Sequence, residues 1–228
     1  MVVSGPNWVL AALGALVLPA VVLQLLWANA REDFQRRTCG LRKLARRTGW
    51  ELLRRGRSKL IDRIRPLDML LGTERVIGPG LLGKLSGVPM HAAEVINHDG
   101  RQQAFTIVTV PRPVPGPDVA IVPRDADWSV EGNTVSIDNG SFDKLFATCS
   151  REPDYARAVL RRPITTALSA DPRIRGAILL FDERDVVAVV RGRLDADRVV
   201  ELADLLTALR RAVPWRIMDT STELRPTG

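Results

Sequence analysis

The chain has 228 residues, of which 46% are hydrophobic and 26% are charged, and it carries a formal net charge of +7. Its two cysteines, Cys39 and Cys149, are too few and too far apart for a disulfide framework or a cysteine-based metal site. No fixed-period repeat and no long low-complexity tract occurs, so repeat architectures and wholly disordered chains are excluded as well.

The N-terminal run from Trp8 to Trp27 contains 20 residues and no charge. In a helix it would extend about 30 Å, which matches the hydrocarbon thickness of a bilayer. Trp8 and Trp27 stand at the two ends, where indole side chains favour the membrane–water interface. The pattern predicts a transmembrane anchor within residues 1–30. The alternative is a signal peptide cleaved near Ala30, but residues 1–30 lack the basic start and the shorter apolar run of such peptides.

Positive charge is concentrated directly after this run. Residues 31–65 carry 13 Lys and Arg against four acidic residues, a net charge of +9, whereas residues 66–228 carry −2. Basic residues beside a membrane helix stay in the cytoplasm, so we expect a plasma-membrane protein with its N-terminus outside and its C-terminal part inside. The residues concerned are Arg31, Arg36, Arg37, Arg42, Lys43, Arg46 and Arg47.

Two roles fit these basic residues. They set the topology of the anchor, or they also bind anionic lipid headgroups of the inner leaflet. Nucleic acid is not expected as a partner, because the membrane already accounts for the charge and no nucleic-acid motif accompanies it.

Residues 31–66 are predicted to form a basic juxtamembrane helical segment. Leu41, Leu44 and Ala45 follow helical spacing, and Gly49 is typical of the residue just past a helix end. A second amphipathic helical piece is predicted through residues 52–64, before Pro66.

Residues 67–217 are predicted to form one α+β domain with a mainly antiparallel sheet and C-terminal helices, followed by a flexible tail at 218–228. Apolar runs at 88–97 and 101–110 flank an Asp-Gly turn, and runs at 177–181 and 186–190 flank an acidic turn, so each pair predicts a hairpin. A further strand is expected at 119–122. Helices are expected at 153–160, 163–168 and 195–212, the last being strongly amphipathic.

The sequence from Gly78 to Lys84, GPGLLGK, matches both G-x-G-x-x-G and the first seven positions of a phosphate-binding loop. Leu85 replaces the Ser or Thr that would bind Mg²⁺, and Gly87 and Pro89 oppose the helix that such a loop requires. We therefore interpret the segment as a glycine-rich turn between strands and predict no nucleotide cofactor.

Other candidate chemistry is equally sparse. His91 and His98 lack further metal ligands at suitable spacing, and Cys149 with a histidine is a pair that most soluble proteins contain. Ser86 lacks the spacing of a nucleophile elbow. We predict no catalytic, cofactor-binding or metal-binding residues. The run PRPVPGP at 111–117 is interpreted as a stiff connector, with recognition by a polyproline-binding partner as the alternative.

The order of these features resembles a group of actinobacterial single-pass membrane proteins of unknown function, in which a membrane helix and a basic stretch precede a globular α+β domain. The matching pieces are ARRTGW at 45–50, the strand pair around 72–108, FDKLF at 142–146, YARAVL at 155–160 with Pro163, and Val213-Pro214. The resemblance implies the fold and the membrane anchor, and it brings no site residues.

The sequence thus predicts a membrane-anchored, non-enzymatic binding or scaffold protein whose ligand it does not specify. The bilayer, anionic headgroups and a protein partner are the expected contacts. Two alternatives stay open: a membrane-associated enzyme without a linear motif, and an extracytoplasmic domain if the topology is reversed.

Overall fold

The structure, a computed structural model, describes residues 35–54, 56, 75–97, 103–126 and 132–215, together with the single positions 22 and 24. Within these residues no helix is both long and apolar enough to cross a bilayer. The predicted span from Trp8 to Trp27 lies outside the described residues except at positions 22 and 24, and so does the predicted tail at 218–228.

In the part of the chain that the structure describes, nine antiparallel strands form one sheet in the order β1-β2-β3-β4-β9-β8-β5-β7-β6. The predicted α+β class with a large antiparallel sheet and a C-terminal helix is confirmed. The strands are β1 (Glu51–Leu53), β2 (Arg75–Leu85), β3 (Val88–Asn97), β4 (Ala104–Pro111), β5 (Val119–Pro123), β6 (Asn133–Val135), β7 (Phe146–Ser150), β8 (Ala177–Phe181) and β9 (Asp185–Arg191).

The described helices all pack on one face of this sheet. They are α1 (35–48), α2 (Gly140–Leu145), α3 (Pro153–Val159), α4 (Arg162–Ala170) and α5 (Ala196–Ala212), with a 3₁₀ turn at Pro172–Ile174. Side chains alternate along β9, so Val186, Ala188 and Val190 join the helices in one core cluster, while Val187 and Val189 belong to a second cluster on the opposite face.

Both predicted hairpins are present as antiparallel pairs, β3 with β4 and β8 with β9. Helix α5 begins after Asp195, whose carboxylate accepts hydrogen bonds from the backbone N–H groups of Asp197 and Arg198. Helices α3 and α4 match their predicted positions, and each has a proline in its first turn.

The predicted start of a helical piece at residues 52–53 is wrong. Leu52 and Leu53, assigned to the start of a helical piece, lie in β1, which pairs with Gly80–Leu82 of β2 at the edge of the sheet. The apolar–polar spacing over three residues does not distinguish a helix from a strand, and pairing with β2 decides the outcome. Consequently α1 and β1, which precede the predicted domain start at residue 67, contribute to the same core and sheet.

Candidate functional site

Helix α1 is seated on the sheet through one apolar face. Leu41, Leu44 and Ala45 lie three and four residues apart and are buried against the core. The helix is followed by Gly49, whose φ of +72° is a conformation that glycine adopts without steric cost. This turn directs Trp50 back under the helix, where 6% of the residue is exposed.

Gly83 of β2 provides the space for the Trp50 ring. A Cβ atom at Gly83 would lie closer than 3.0 Å to three atoms of that ring. The Trp50 indole N–H donates to the Lys84 carbonyl oxygen at 3.0 Å, so the one polar atom of the ring is satisfied. This contact between Trp50 and Gly83, called here the seat of α1, therefore requires glycine at residue 83.

Gly78 and Gly80 of β2 also leave space for closely packed neighbouring atoms. A Cβ at Gly78 would lie 2.9 Å from the Cβ of Glu94, and one at Gly80 would lie 2.8 Å from the Ala92 carbonyl oxygen. The pairing of β2 with β3 shifts register between Ile77 and Gly80, which marks a bulge. Residues 78–84 thus lie within a strand, and the predicted turn between strands is wrong; the turn occurs at Ser86 and Gly87, both with positive φ.

Glu94 is a buried carboxylate that joins three segments. Its Oε2 accepts a hydrogen bond from the Leu194 backbone N–H at 2.9 Å and lies 3.6 Å from Nη1 of Arg37 on α1. Nη1 of Arg193 lies 3.9 Å from its Oε1. Only 4% of Glu94 is exposed, so solvent screens these contacts weakly. The carboxylate ties α1, β3 and the β9–α5 loop together.

The opposite side of α1 is a basic face, defined here as Cys39, Arg42, Lys43, Arg46 and Arg47. All five are exposed, and they line an open depression of about 560 Å³. Arg36 is also exposed, whereas Arg37 turns inward to Glu94. The structure therefore divides the predicted basic set into an outward group and one inward residue. Arg31, Trp8 and Trp27 lie outside the described residues.

Cys149, the candidate nucleophile, does not contact His91, the histidine that the structure describes. His91 lies on β3 and Cys149 on β7, and the register places them in one row across the sheet, five strand spacings or about 24 Å apart. Burial raises the pKa of the Cys149 thiol, which opposes formation of a thiolate. His98 lies outside the described residues, and no group of metal-binding side chains was found among the described ones.

The sequence analysis did not identify Arg112, a buried arginine that directly follows β4. Arg112 Nη1 donates to the carbonyl oxygens of Gly116 at 3.0 Å, Pro117 at 3.2 Å and Asp182 at 2.7 Å. Its Nη2 donates to the Tyr155 hydroxyl, and the guanidinium carbon lies 4.8 Å from the centroid of the Trp215 ring. The signal available in the sequence was a single arginine, Arg112, within the proline run at 111–117.

This network fixes the proline run at both ends. The run connects β4 to β5, which are separated in the sheet by β9 and β8, so it must cross the β8–β9 turn. The backbone N–H groups of Arg112 and Gly116 donate to the Arg184 and Glu183 carbonyl oxygens of that turn. The prediction that the run connects two strands is confirmed. Its stiffness, and the alternative of recognition by a polyproline-binding partner, stay predictions.

Asp182 provides a pH-dependent prediction at this turn. Burial, together with the nearby carboxylate of Asp118, raises the pKa of Asp182 from 3.8 to about 6. The stability that this group contributes is therefore complete below pH 3.8 and is lost as the pH rises through about 6. We expect Asp182→Asn to increase the free energy of unfolding at pH 8 by roughly 1–3 kcal/mol and to change it little at pH 4.

Urea unfolding of the two proteins across this pH range measures the difference. Asp125→Asn, which neutralises an exposed carboxylate, is the matched control and should stay within about 0.5 kcal/mol throughout. An equal gain for Asp182→Asn at both pH values would show that the carboxyl group is not held protonated by the fold.

The comparisons with known proteins support the fold. A scan against protein-family models found no match, and a search of curated proteins found none. Among solved structures, the chain is similar to the crystal structure of the mycobacterial trehalose monomycolate transport factor A, TtfA, with a TM-score of 0.57 and 14% sequence identity. The similarity covers 75% of this chain and 93% of that chain. At this identity the likeness shows a shared fold.

Proposed function

We propose that this chain is a membrane-tethered, non-enzymatic binding or scaffold protein that assists lipid transport at the inner face of the plasma membrane. The observation that carries the proposal is the seat of α1. A basic helix that directly follows the predicted anchor is fixed to the sheet by Trp50, Gly83 and Glu94. Helix α1 and the sheet therefore form one packed unit.

Two further points support this role. The domain shares its fold with a protein whose name assigns it to the transport of trehalose monomycolate. In addition, two buried charged side chains of the described domain make structural contacts: Glu94 holds α1, and Arg112 holds the proline run. For this chain we propose assistance in lipid transport without specifying the class of lipid.

Depletion of the protein in its own host tests the function. Pulse-labelled lipids should accumulate in the inner membrane after depletion, and the full chain should restore their distribution. A chain that begins at residue 31 should fail to restore it because it lacks the predicted anchor. An unchanged lipid distribution contradicts the transport role, and rescue by the shortened chain contradicts the requirement for a tether.

The proposed topology has its own readout. A fluorescent reporter at the C-terminus should be active inside the cell, while an alkaline phosphatase fused at the same place should be inactive. Active phosphatase, or a mature chain trimmed after Ala30, would place the domain outside.

A further inference from the structure

We propose that the basic face of α1 binds the phosphate-bearing headgroups of anionic phospholipids, so that the helix lies along the inner leaflet. The inference rests on the proposed tether and adds a second, electrostatic contact between the domain and the membrane. It assigns the contact to four cations, Arg42, Lys43, Arg46 and Arg47, and places the Cys39 thiol among them.

The direction of the basic face is fixed by the seat on the other side of α1. Rotation of the helix about its axis would remove Trp50 from the space at Gly83 and would separate Arg37 from Glu94. The cations at 42, 43, 46 and 47 therefore point away from the sheet as a group. Two turns of helix hold all four, which is compact enough for one flat surface to contact them together.

Among the residues that the structure describes, these four cations have no acidic partner. Residues 35–50 contain no Asp or Glu, and none of the four forms an ion pair with another residue that the structure describes. By contrast, Arg198 of α5 is paired with Glu201 at 3.1 Å, and Arg173 with Asp204 at 2.8 Å. The negative end of the helix dipole favours Arg46 and Arg47 at the last turn but does not account for Arg42 and Lys43.

Apart from Cys39, the exposed side of α1 has no apolar residue, because its leucines and Ala45 face the sheet. A helix that inserts into the acyl region needs an exposed apolar stripe. Binding through this face must therefore be electrostatic, and salt should reverse it.

A straight continuation of the anchor is the competing geometry. Arg42 is 15 residues and Arg47 is 20 residues beyond Trp27. One continuous helix perpendicular to the membrane would hold them about 22–30 Å below the interface, far beyond the Debye length of about 8 Å. The cations would then contact no lipid and would be available to an acidic protein instead. Contact with headgroups requires α1 to lie along the leaflet.

Cys39 provides a built-in probe that separates these geometries. The full chain with Cys149→Ser retains one thiol and is reconstituted in nanodiscs of phosphatidylcholine alone or with one third phosphatidylglycerol. The measurement is the rate at which an uncharged, polymer-linked maleimide labels Cys39. We expect labelling to be slower by about tenfold or more in the anionic discs, with the difference lost near 1 M salt.

Matched variants assign the effect to the basic face. Neutralisation by R42Q/K43Q/R46Q/R47Q should abolish the difference between the two lipid compositions, because four contacts together contribute roughly 100- to 1000-fold to adsorption. The control R161Q/R162Q/R175Q/R211Q removes the same charge from other exposed positions and should retain the difference.

Three results would overturn the proposal. Equal labelling of the parent protein in both discs means that α1 does not lie on the lipid, whatever happens to the variants. Protection in phosphatidylcholine discs by inorganic phosphate alone indicates a site for soluble anions. Protection in native membranes but not in anionic discs indicates an acidic protein partner. None of these depends on the depletion experiment, so failure here leaves the role in lipid transport to be judged separately.

Discussion

Replacing Gly83 by alanine is expected to release α1 from the sheet and to lower the free energy of unfolding by about 3–5 kcal/mol. The added Cβ would overlap the Trp50 ring. Because β2 is paired with β1 on one side and β3 on the other, Gly83 cannot move away from the ring without breaking these pairs. Trp50 must leave its site, which exposes a large aromatic side chain and breaks its hydrogen bond to Lys84. Denaturant unfolding of the full chain in detergent measures the loss.

A double-mutant cycle shows whether the ring is the cause. In a Trp50→Ala background the same Gly83→Ala change should cost less than about 1 kcal/mol, because the clash has been removed. Gly140→Ala is the control for glycine replacement in general, since a Cβ there meets no atom within 4 Å. If Gly83→Ala is equally costly with and without Trp50, the seat is not what requires the glycine.

The main elements of the fold could be predicted because each has a local signal. The β8–β9 hairpin is two apolar runs around an acidic turn, and α5 combines an Asp195 cap, a periodic apolar face and Pro214 beyond its end. The order of strands in the sheet has no such signal. β5 lies between β8 and β7, and this position depends on pairing between segments that are far apart in the sequence.

The seat of α1 was not predicted, because its parts are far apart in the sequence. Gly78 and Gly83 form a motif that resembles a phosphate-binding loop, yet they leave space for Glu94 and Trp50, one on the next strand and one before β1. A glycine in a strand indicates close approach of another group but does not name it. Likewise the charge pattern identified the basic segment, whereas the division between inward Arg37 and the outward cations depends on how the helix packs.

Replacing Arg112 by alanine is the second change for which we expect a large effect, a loss of about 3–5 kcal/mol in the free energy of unfolding. The substitution leaves the Gly116, Pro117 and Asp182 carbonyl oxygens without their donor in a region where Arg112 is 7% exposed. It also leaves a void beside Trp215 and Tyr155. Arg211→Ala removes an exposed arginine and should cost less than about 0.5 kcal/mol.

Hydrogen exchange distinguishes a local role of Arg112 from a general loss of stability. The Gly116 amide donates to the Glu183 carbonyl oxygen, and it should lose protection in Arg112→Ala under conditions in which the β8–β9 amides remain protected. Arg112→Lys should restore little, because a single ammonium group cannot reach three carbonyl oxygens and the Tyr155 hydroxyl while stacking on Trp215. Full protection at Gly116 in the alanine variant would mean that the prolines alone hold the run in place, and the buried guanidinium would then need another explanation.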